Sequence, residues 1–295
     1  MALDTNQVTK NFAKLKKTVR KAAKSSAPSD VHKLRTRIRR VQAVLETVND
    51  DPILRNPWLL KKLNRLHKKA GKVRDLDVMT AHLSSIRVEG EDDCLIQLQH
   101  YLGLKRYRKE ERLRRALRKQ RSSVAKALSN SSRQIEKRIA KSSKQQTAAA
   151  ASALKFSSKV SAPITLNRAN LHDYRSKIRE LRDLLRFAAD DGDEKLIDEL
   201  GKVKDAIGEW HDWEELVSLA TAVIGHEVHR PNTKGCKLLH ELKDTARAKF
   251  ESALSLTNKM RKTYFQSSLR NKNKPAGSAP RQSSRTLRAA FRLLG

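Results

Sequence analysis

The chain has 295 residues, of which 64 are Lys or Arg and 32 are Asp or Glu, so its formal charge is 64 − 32 = +32. Like charges at that excess repel in a compact state, which excludes a protein that works without an anionic partner. The 38% hydrophobic content is enough for one large or two medium cores if the apolar residues are regularly spaced, while no apolar run nears the roughly 20 residues of a membrane-spanning helix.

Gly and Pro number only 10 and 7 against many Ala, Leu, Lys, Arg, Glu and Gln, a composition of strong helix formers that predicts an all-α fold. Val31, Leu34, Ile38, Val41, Leu45 and Val48 recur at alternating three- and four-residue spacing, the stripe of an amphipathic helix, with Ser29 or Asp30 as its expected N-cap. Leu59, Leu63, Leu66, Ala70, Val73 and Leu76 repeat the pattern after Pro57, a residue suited to a first helical turn. A third, long helix is predicted from Leu95, Leu98, Leu102, Leu113, Leu117, Val124 and Leu128, with Tyr101 and Tyr107 beside it. Lys141 to Ala162 is a Lys, Ser, Gln and Ala mixture with little apolar period and reads as a linker. After it, Leu171, Tyr174, Ile178, Leu181 and Leu185 predict one helix, and Leu196, Leu200, Val203, Ile207 and Trp210 the next. Beyond Arg270 a Pro- and Ser-containing basic stretch reads as a tail with a short last helix.

The chain also resembles itself. VHKLRTRIRRVQAVLE at 31–46 aligns with LHDYRSKIRELRDLLR at 171–186, an offset of 172 − 32 = 140. LHKKAGKVRDLDVM at 66–79 aligns with VKDAIGEWHDWEEL at 203–216, an offset of 208 − 71 = 137. Two matches in the same order at nearly one offset imply a duplicated unit. We therefore expect two helical bundles packed with pseudo-two-fold symmetry: a first bundle over 1–145, a linker over 146–163, a second bundle over 164–270 and a tail over 271–295.

Beside the apolar stripe, His32, Arg35 and Arg39 fall at i, i+3 and i+7 on one flank of their helix. His172, Arg175, Arg179, Arg182 and Arg186 continue the same flank in the second copy. Arg65, Lys69 and Lys72 share a face of the second helix, and Lys105 to Arg121 carries ten cations against Glu110 and Glu111. A charged run on an amphipathic helix is commonly only a solvated face. The His and Arg flank is set apart by its recurrence in register. Arg offers phosphate a planar two-pronged donor and Lys a mobile charge, so this residue set suits a chain of phosphates. Bound anion favours protonated His, so affinity is expected to rise as pH falls through about 6.5.

Nucleic acid is the main alternative partner. Only 4% of residues are aromatic, and Trp58, Trp210 and Trp213 fall at positions that read as core, which leaves few stacking platforms. Backbone binding to DNA or RNA remains compatible with the charge. No phosphate-cradling GxxxxGK loop occurs; HEVHR at 226–230 has Arg230 where a zinc helix needs its second His, and the acidic cluster around Gly192 reads as a turn. No nucleophile with an adjacent base can be named, so no enzymatic activity, metal or cofactor is expected. Cys94 and Cys236, without a cationic-then-apolar leader over 1–21, read as reduced thiols of an intracellular, cytoplasmic protein, with the nucleus a weaker alternative.

At VHKLRTRIRR, LHDYRSKIRE, GKVRDLDVM and GEWHDWEEL the sequence resembles the CHAD family, the conserved histidine α-helical domain, over most of the chain. The resemblance implies two four-helix-type bundles related by pseudo-symmetry and adds a basic groove or pore between them that binds inorganic polyphosphate, with polyphosphate granules as one location. It assigns His32, Arg35, Arg39, His172, Arg175 and Arg179 to that groove, with Arg182 continuing the flank and Arg65, Lys69, Lys72 and Lys202 following from the next helices. The copies differ there, since Lys69 aligns with Ala206 and Lys72 with Glu209. Gly71, Asp75, Gly208 and Asp212 are expected to hold helix packing and turns. The Glu-x-Glu-x-Lys strand of the triphosphate tunnel enzymes that can accompany such domains is missing; EGEDD at 89–93 has Asp93 in place of Lys.

Overall fold

A computed structural model describes residues 5–47, 52–139, 160, 165–188, 194–224 and 236–266. The expected tail, the expected linker apart from Val160, and the HEVHR and Gly192 segments lie outside them. The described residues form seven α-helices and no strand: α1 (Thr5–Ala22), α2 (Pro28–Thr47), α3 (Pro57–Ser84), α4 (Asp92–Ile139), α5 (Leu171–Ala188), α6 (Glu194–Ile224) and α7 (Cys236–Arg261), which runs into a π-helical turn at Lys262–Gln266. The all-α class expected from composition holds.

The chain divides into two compact units, one of 2–143 with 219–239 and the other of 144–218 with 240–295. In the first, α1 packs on α2, α2 on α3, α3 on α4, and α4 returns to α1, closing a ring around one core. Phe12, Leu15, Leu34, Ile38, Leu59, Leu63, Leu66, Leu113 and Leu117 fill it. The core of the other unit joins α5, α6 and α7 through Leu171, Ile178, Leu181, Leu200, Ile207, Trp210 and Ala253. There the buried Tyr174 hydroxyl donates to the Val160 carbonyl at 3.0 Å, and burial pushes its pKa up.

Each helix follows from its stripe, with local corrections. Pro57 does occupy the first turn of α3, behind Asn56, whose side-chain oxygen accepts from the Leu59 amide at 3.0 Å. For α2 the expected cap is displaced. The Ala27 carbonyl accepts from the Val31 amide at 3.0 Å, so Asp30 lies inside the first turn, buried and ion-paired to Lys21 at 2.9 Å. At the start of α4, Cys94 is buried and outside any disulfide, and Leu95 is only half-buried. Trp58, read as core, is 44% exposed, because it stands beside rather than on the Leu59, Leu63 and Leu66 stripe. Helices α1 and α7 were not anticipated, although Val8, Phe12, Leu15 and Val19 give α1 a regular buried stripe.

Candidate anion-binding site

Helix α2 buries Val31, Leu34, Ile38 and Val41 completely, which turns His32, Arg35 and Arg39 to one flank. There Arg35 lies against α3. Its Nη1 donates to Asp75 Oδ1 at 3.1 Å and reaches the Gly71 carbonyl at 3.5 Å. A Cβ on Gly71 would lie 3.4 Å from that nitrogen, an ordinary contact distance. His32 has its pKa pushed down, first by burial and then by Arg74, Arg35 and Arg39. Its titration is governed by desolvation and cations alone.

The other unit also rests an arginine on the following helix beside the aligned glycine, through a different bond. Burial along 171–180 follows that along 31–40 almost residue for residue, and Arg175 lies against α6 with its Nε donating to the Lys204 carbonyl at 3.0 Å. A Cβ on Gly208 would meet Arg175 Nη2 at 2.6 Å and its Cζ at 3.1 Å. Gly208, expected to serve packing, therefore does so by seating an arginine, whereas Gly71 has room for a Cβ beside Arg35. His172 has its pKa lowered by burial, by His211 and by Arg175, against a smaller upward pull from Asp173 and Glu215. The two imidazole centroids are 4.1 Å apart. His211 stands where Arg74 stands in the first copy, at the 137 offset, so each site histidine has one basic partner from the following helix. Arg182 is turned to its neighbour helix, Nε donating to the Ile197 carbonyl at 3.2 Å over Gly201.

A second basic feature lies between α3 and α4. Arg65, Lys68, Lys69 and Lys72 face Lys109 and Arg112 across a cleft of about 370 Å³, completed by Leu66, Ala116 and Gln120. Six cations line it and no carboxylate does. Lys109 is pushed below its ordinary pKa by burial, then by Arg112, Lys72, Lys105 and Lys69. In the other unit Glu209, aligned with Lys72, holds Lys249 at 2.7 Å. A like-charge cleft in one unit thus has an ion pair at the aligned position of the other.

The structure gathers the sequence-predicted residues into separate groups. Arg65, Lys69 and Lys72 join Lys109 and Arg112, whereas the charged neighbours acting on His32 are Arg74, Arg35 and Arg39. At 100° per residue Lys72 and Arg74 diverge by roughly 200° around α3. Arg179 is half-buried beside Ile178. Lys202 is exposed and bonded to Glu199 at 2.7 Å, a contact that raises its pKa. Sequence reasoning missed His211, although the repeat alignment already set it opposite Arg74, and missed Lys68.

The dense basic run of α4 divides by role. Arg106 bonds Asp77 and Glu110, both at 2.6 Å, and the Ser26 carbonyl at 3.0 Å; Arg114 and Arg118 reach the Lys24 and Ala23 carbonyls at 3.4 Å. Arg114 and Arg118 complement the negative C-terminal end of α1, and Arg106 holds the connection between α1 and α2. Lys109 and Arg112 face the cleft instead. Among the described residues no group of three His, Cys, Asp or Glu is placed to hold a metal, and no helix is long and apolar enough to cross a membrane.

Two solved structures share this fold. The CHAD domain from the plant Ricinus communis superposes with a TM-score of 0.65 at 14% identity, covering 85% of this chain and 89% of that one. PptA from Streptomyces chartreusis gives 0.64 at 16%, covering 88% and 99%. No curated protein sequence matches. The family model of the CHAD domain matches residues 6–221, and with that match the chain belongs to the CHAD family, a family known in general terms for binding polyphosphate.

Proposed function

We propose that the protein binds inorganic polyphosphate without transforming it, through the His32, Arg35 and Arg39 flank, its counterpart at His172, Arg175 and Arg179, and the cleft of Arg65, Lys69 and Lys72. Each flank is proposed to engage phosphoryl groups of a long chain. The observation that carries this reading is the acid-free lining of the α3/α4 cleft, where six cations stand together. Such a cleft is self-repulsive when empty, and a chain of phosphates neutralises it with charge-assisted hydrogen bonds. The two histidines, lowered mainly by burial and basic neighbours, fit the same ligand, because a bound anion returns them towards the charged form. Arg35→Gln with Arg175→Gln is expected to weaken long-chain polyphosphate binding by about tenfold or more, since each lost charged hydrogen bond is worth roughly 1.5–3 kcal/mol. Unchanged affinity in a folded double variant counts against the reading, as does metal-dependent chain shortening by the wild-type protein.

A second reading, sequence-independent nucleic-acid binding, is favoured by the exposure of Trp58 at 44%, Tyr101 at 40% and Tyr107 at 64%. Lys62 lies 5.4 Å from the Trp58 ring centre and Lys105 5.3 Å from that of Tyr101, arrangements that place a cation beside an aromatic face. None of these aromatics lines the α3/α4 cleft. This reading predicts that Trp58→Ala with Tyr107→Ala weakens single-stranded nucleic acid binding and leaves polyphosphate binding intact.

A further inference from the structure

We infer that the groove between α1 and α4 is a second anion site, which takes consecutive phosphoryl groups of a linear polyphosphate chain held elsewhere on the first bundle. The inference rests on the polyphosphate reading above and adds a site outside the His and Arg flanks. The groove, of about 670 Å³, is lined by Lys16 and Arg20 from α1, by Lys24 from the turn that follows it, and by Arg121 and Lys126 from α4, with the Ser129 hydroxyl accepting from Lys16 Nζ at 3.0 Å. On α1 Lys16 and Arg20 sit at i and i+4, two charges about 6 Å apart along the helix, and Lys24 follows from the turn at its end. Among the described residues neither Arg20, Lys24, Arg121 nor Lys126 has a carboxylate partner.

Neighbouring parts of the same helices are treated differently. Arg106, Arg114 and Arg118 are turned to carbonyls of the connection that follows α1, and Lys21 to Asp30. In the groove the cations share one lining that holds no carboxylate. Its remaining lining is Ser122, Ala125 and Asn130, small or hydrogen-bonding and without an aromatic. That chemistry suits bare phosphoryl oxygens and offers nothing to a base or an acyl chain. Position on α4 separates the two anion features. Lys109, Arg112 and Ala116 lie to one side of the buried stripe of Leu113, Leu117, Val124 and Leu128, and Arg121, Ala125 and Ser129 to the other. A short oligophosphate fills one feature at a time, whereas a long chain engages both and gains effective concentration from the link.

The test titrates the full-length protein with long-chain polyphosphate and with tripolyphosphate at several salt concentrations, comparing wild type with Arg20→Glu/Arg121→Glu. The charge-matched control is Lys237→Glu/Lys243→Glu on the exposed side of α7. The double reversal is expected to cut long-chain affinity by about tenfold or more and to make its salt slope shallower by about two contacts. Tripolyphosphate binding stays within about twofold, because its strongest site is elsewhere, and the control stays within about twofold for both ligands. Arg20→Gln/Arg121→Gln, which adds no negative charge, is expected to move long-chain affinity in the same direction and guards against a misfolded glutamate variant. Long-chain affinity and slope equal to wild type overturn the inference, and so does an equal loss in the control. Loss of duplex DNA binding with long-chain polyphosphate retained gives the groove to nucleic acid and overturns it too. A wild-type protein that binds no polyphosphate overturns the proposed function itself, a result distinct from wild-type binding that the reversal leaves unchanged.

Discussion

Arg35 and Arg175 each lie across a helix at a glycine, and the two glycines are not equally forgiving. At Gly71 a Cβ meets Arg35 Nη1 at an ordinary 3.4 Å, so Gly71→Ala is expected to raise stability by about 0.5–1 kcal/mol through helix propensity, read as a higher melting temperature. At Gly208 the 2.6 Å approach forces Arg175 aside, so Gly208→Ala is expected to lose polyphosphate affinity while its melting temperature moves little. The histidines give a pH prediction. His32 and His172 hold protons less tightly folded than unfolded, so below about pH 6.5 the unfolded chain binds more of them and the ligand-free protein loses stability as pH falls. Polyphosphate affinity runs the other way, rising over that window, and His32→Gln/His172→Gln is expected to flatten both profiles in melts and titrations at matched salt. At this scale the sequence displayed the flank and its register, because i, i+3 and i+7 spacing fixes a helix face. It did not display that Lys202 is held by Glu199, or that Trp58 faces outward, since both depend on side-chain placement around α6 and α3.

At the scale of the helix, α4 shows why a cationic run cannot be interpreted by composition. Arg106 reaches the buried Asp77, whose side chain is 4% exposed, so Arg106→Ala leaves that carboxylate unpaired and is expected to cost on the order of 3 kcal/mol of unfolding free energy. Arg115→Ala, on an exposed turn of the same helix, is expected to change stability by less than about 0.5 kcal/mol in denaturant melts. Lys72→Glu tests the cleft from the other direction. It recreates beside Lys109 the acid and base pair that Glu209 and Lys249 form, and is expected to restore the Lys109 pKa while weakening anion binding, read by titration of the labelled amine and by polyphosphate retention. Helices α2 and α3 were legible because Val, Leu and Ile mark every turn. The stripe of α7 is carried in part by Ala246, Ala253 and the fully buried Thr257, whose hydroxyl returns to the Ala253 carbonyl at 2.6 Å, so hydropathy alone dilutes it. Helix α1 has a stripe as regular as that of α2 in Val8, Phe12, Leu15 and Val19, but a reading of 1–21 for a leader alone passed over its period. The clefts were not legible at all, because they require the rotational phase of two packed helices.

For the whole molecule the net charge of +32 is the governing fact. Each unit buries an ordinary apolar core and sets much of its charge outside it, so the compact state tolerates its own repulsion only with anions nearby. The account makes inorganic polyphosphate that anion, and the measurement that tests it most directly is a competition between long-chain polyphosphate and duplex DNA for the intact protein, run across salt concentrations at equal phosphate. The account predicts that polyphosphate displaces DNA throughout, with log affinity falling against log salt at a slope on the order of −0.7 per phosphate contact or steeper, and that Arg35→Gln/Arg175→Gln removes the advantage. DNA binding as tightly as polyphosphate, with the same slope and no change in the double variant, contradicts it.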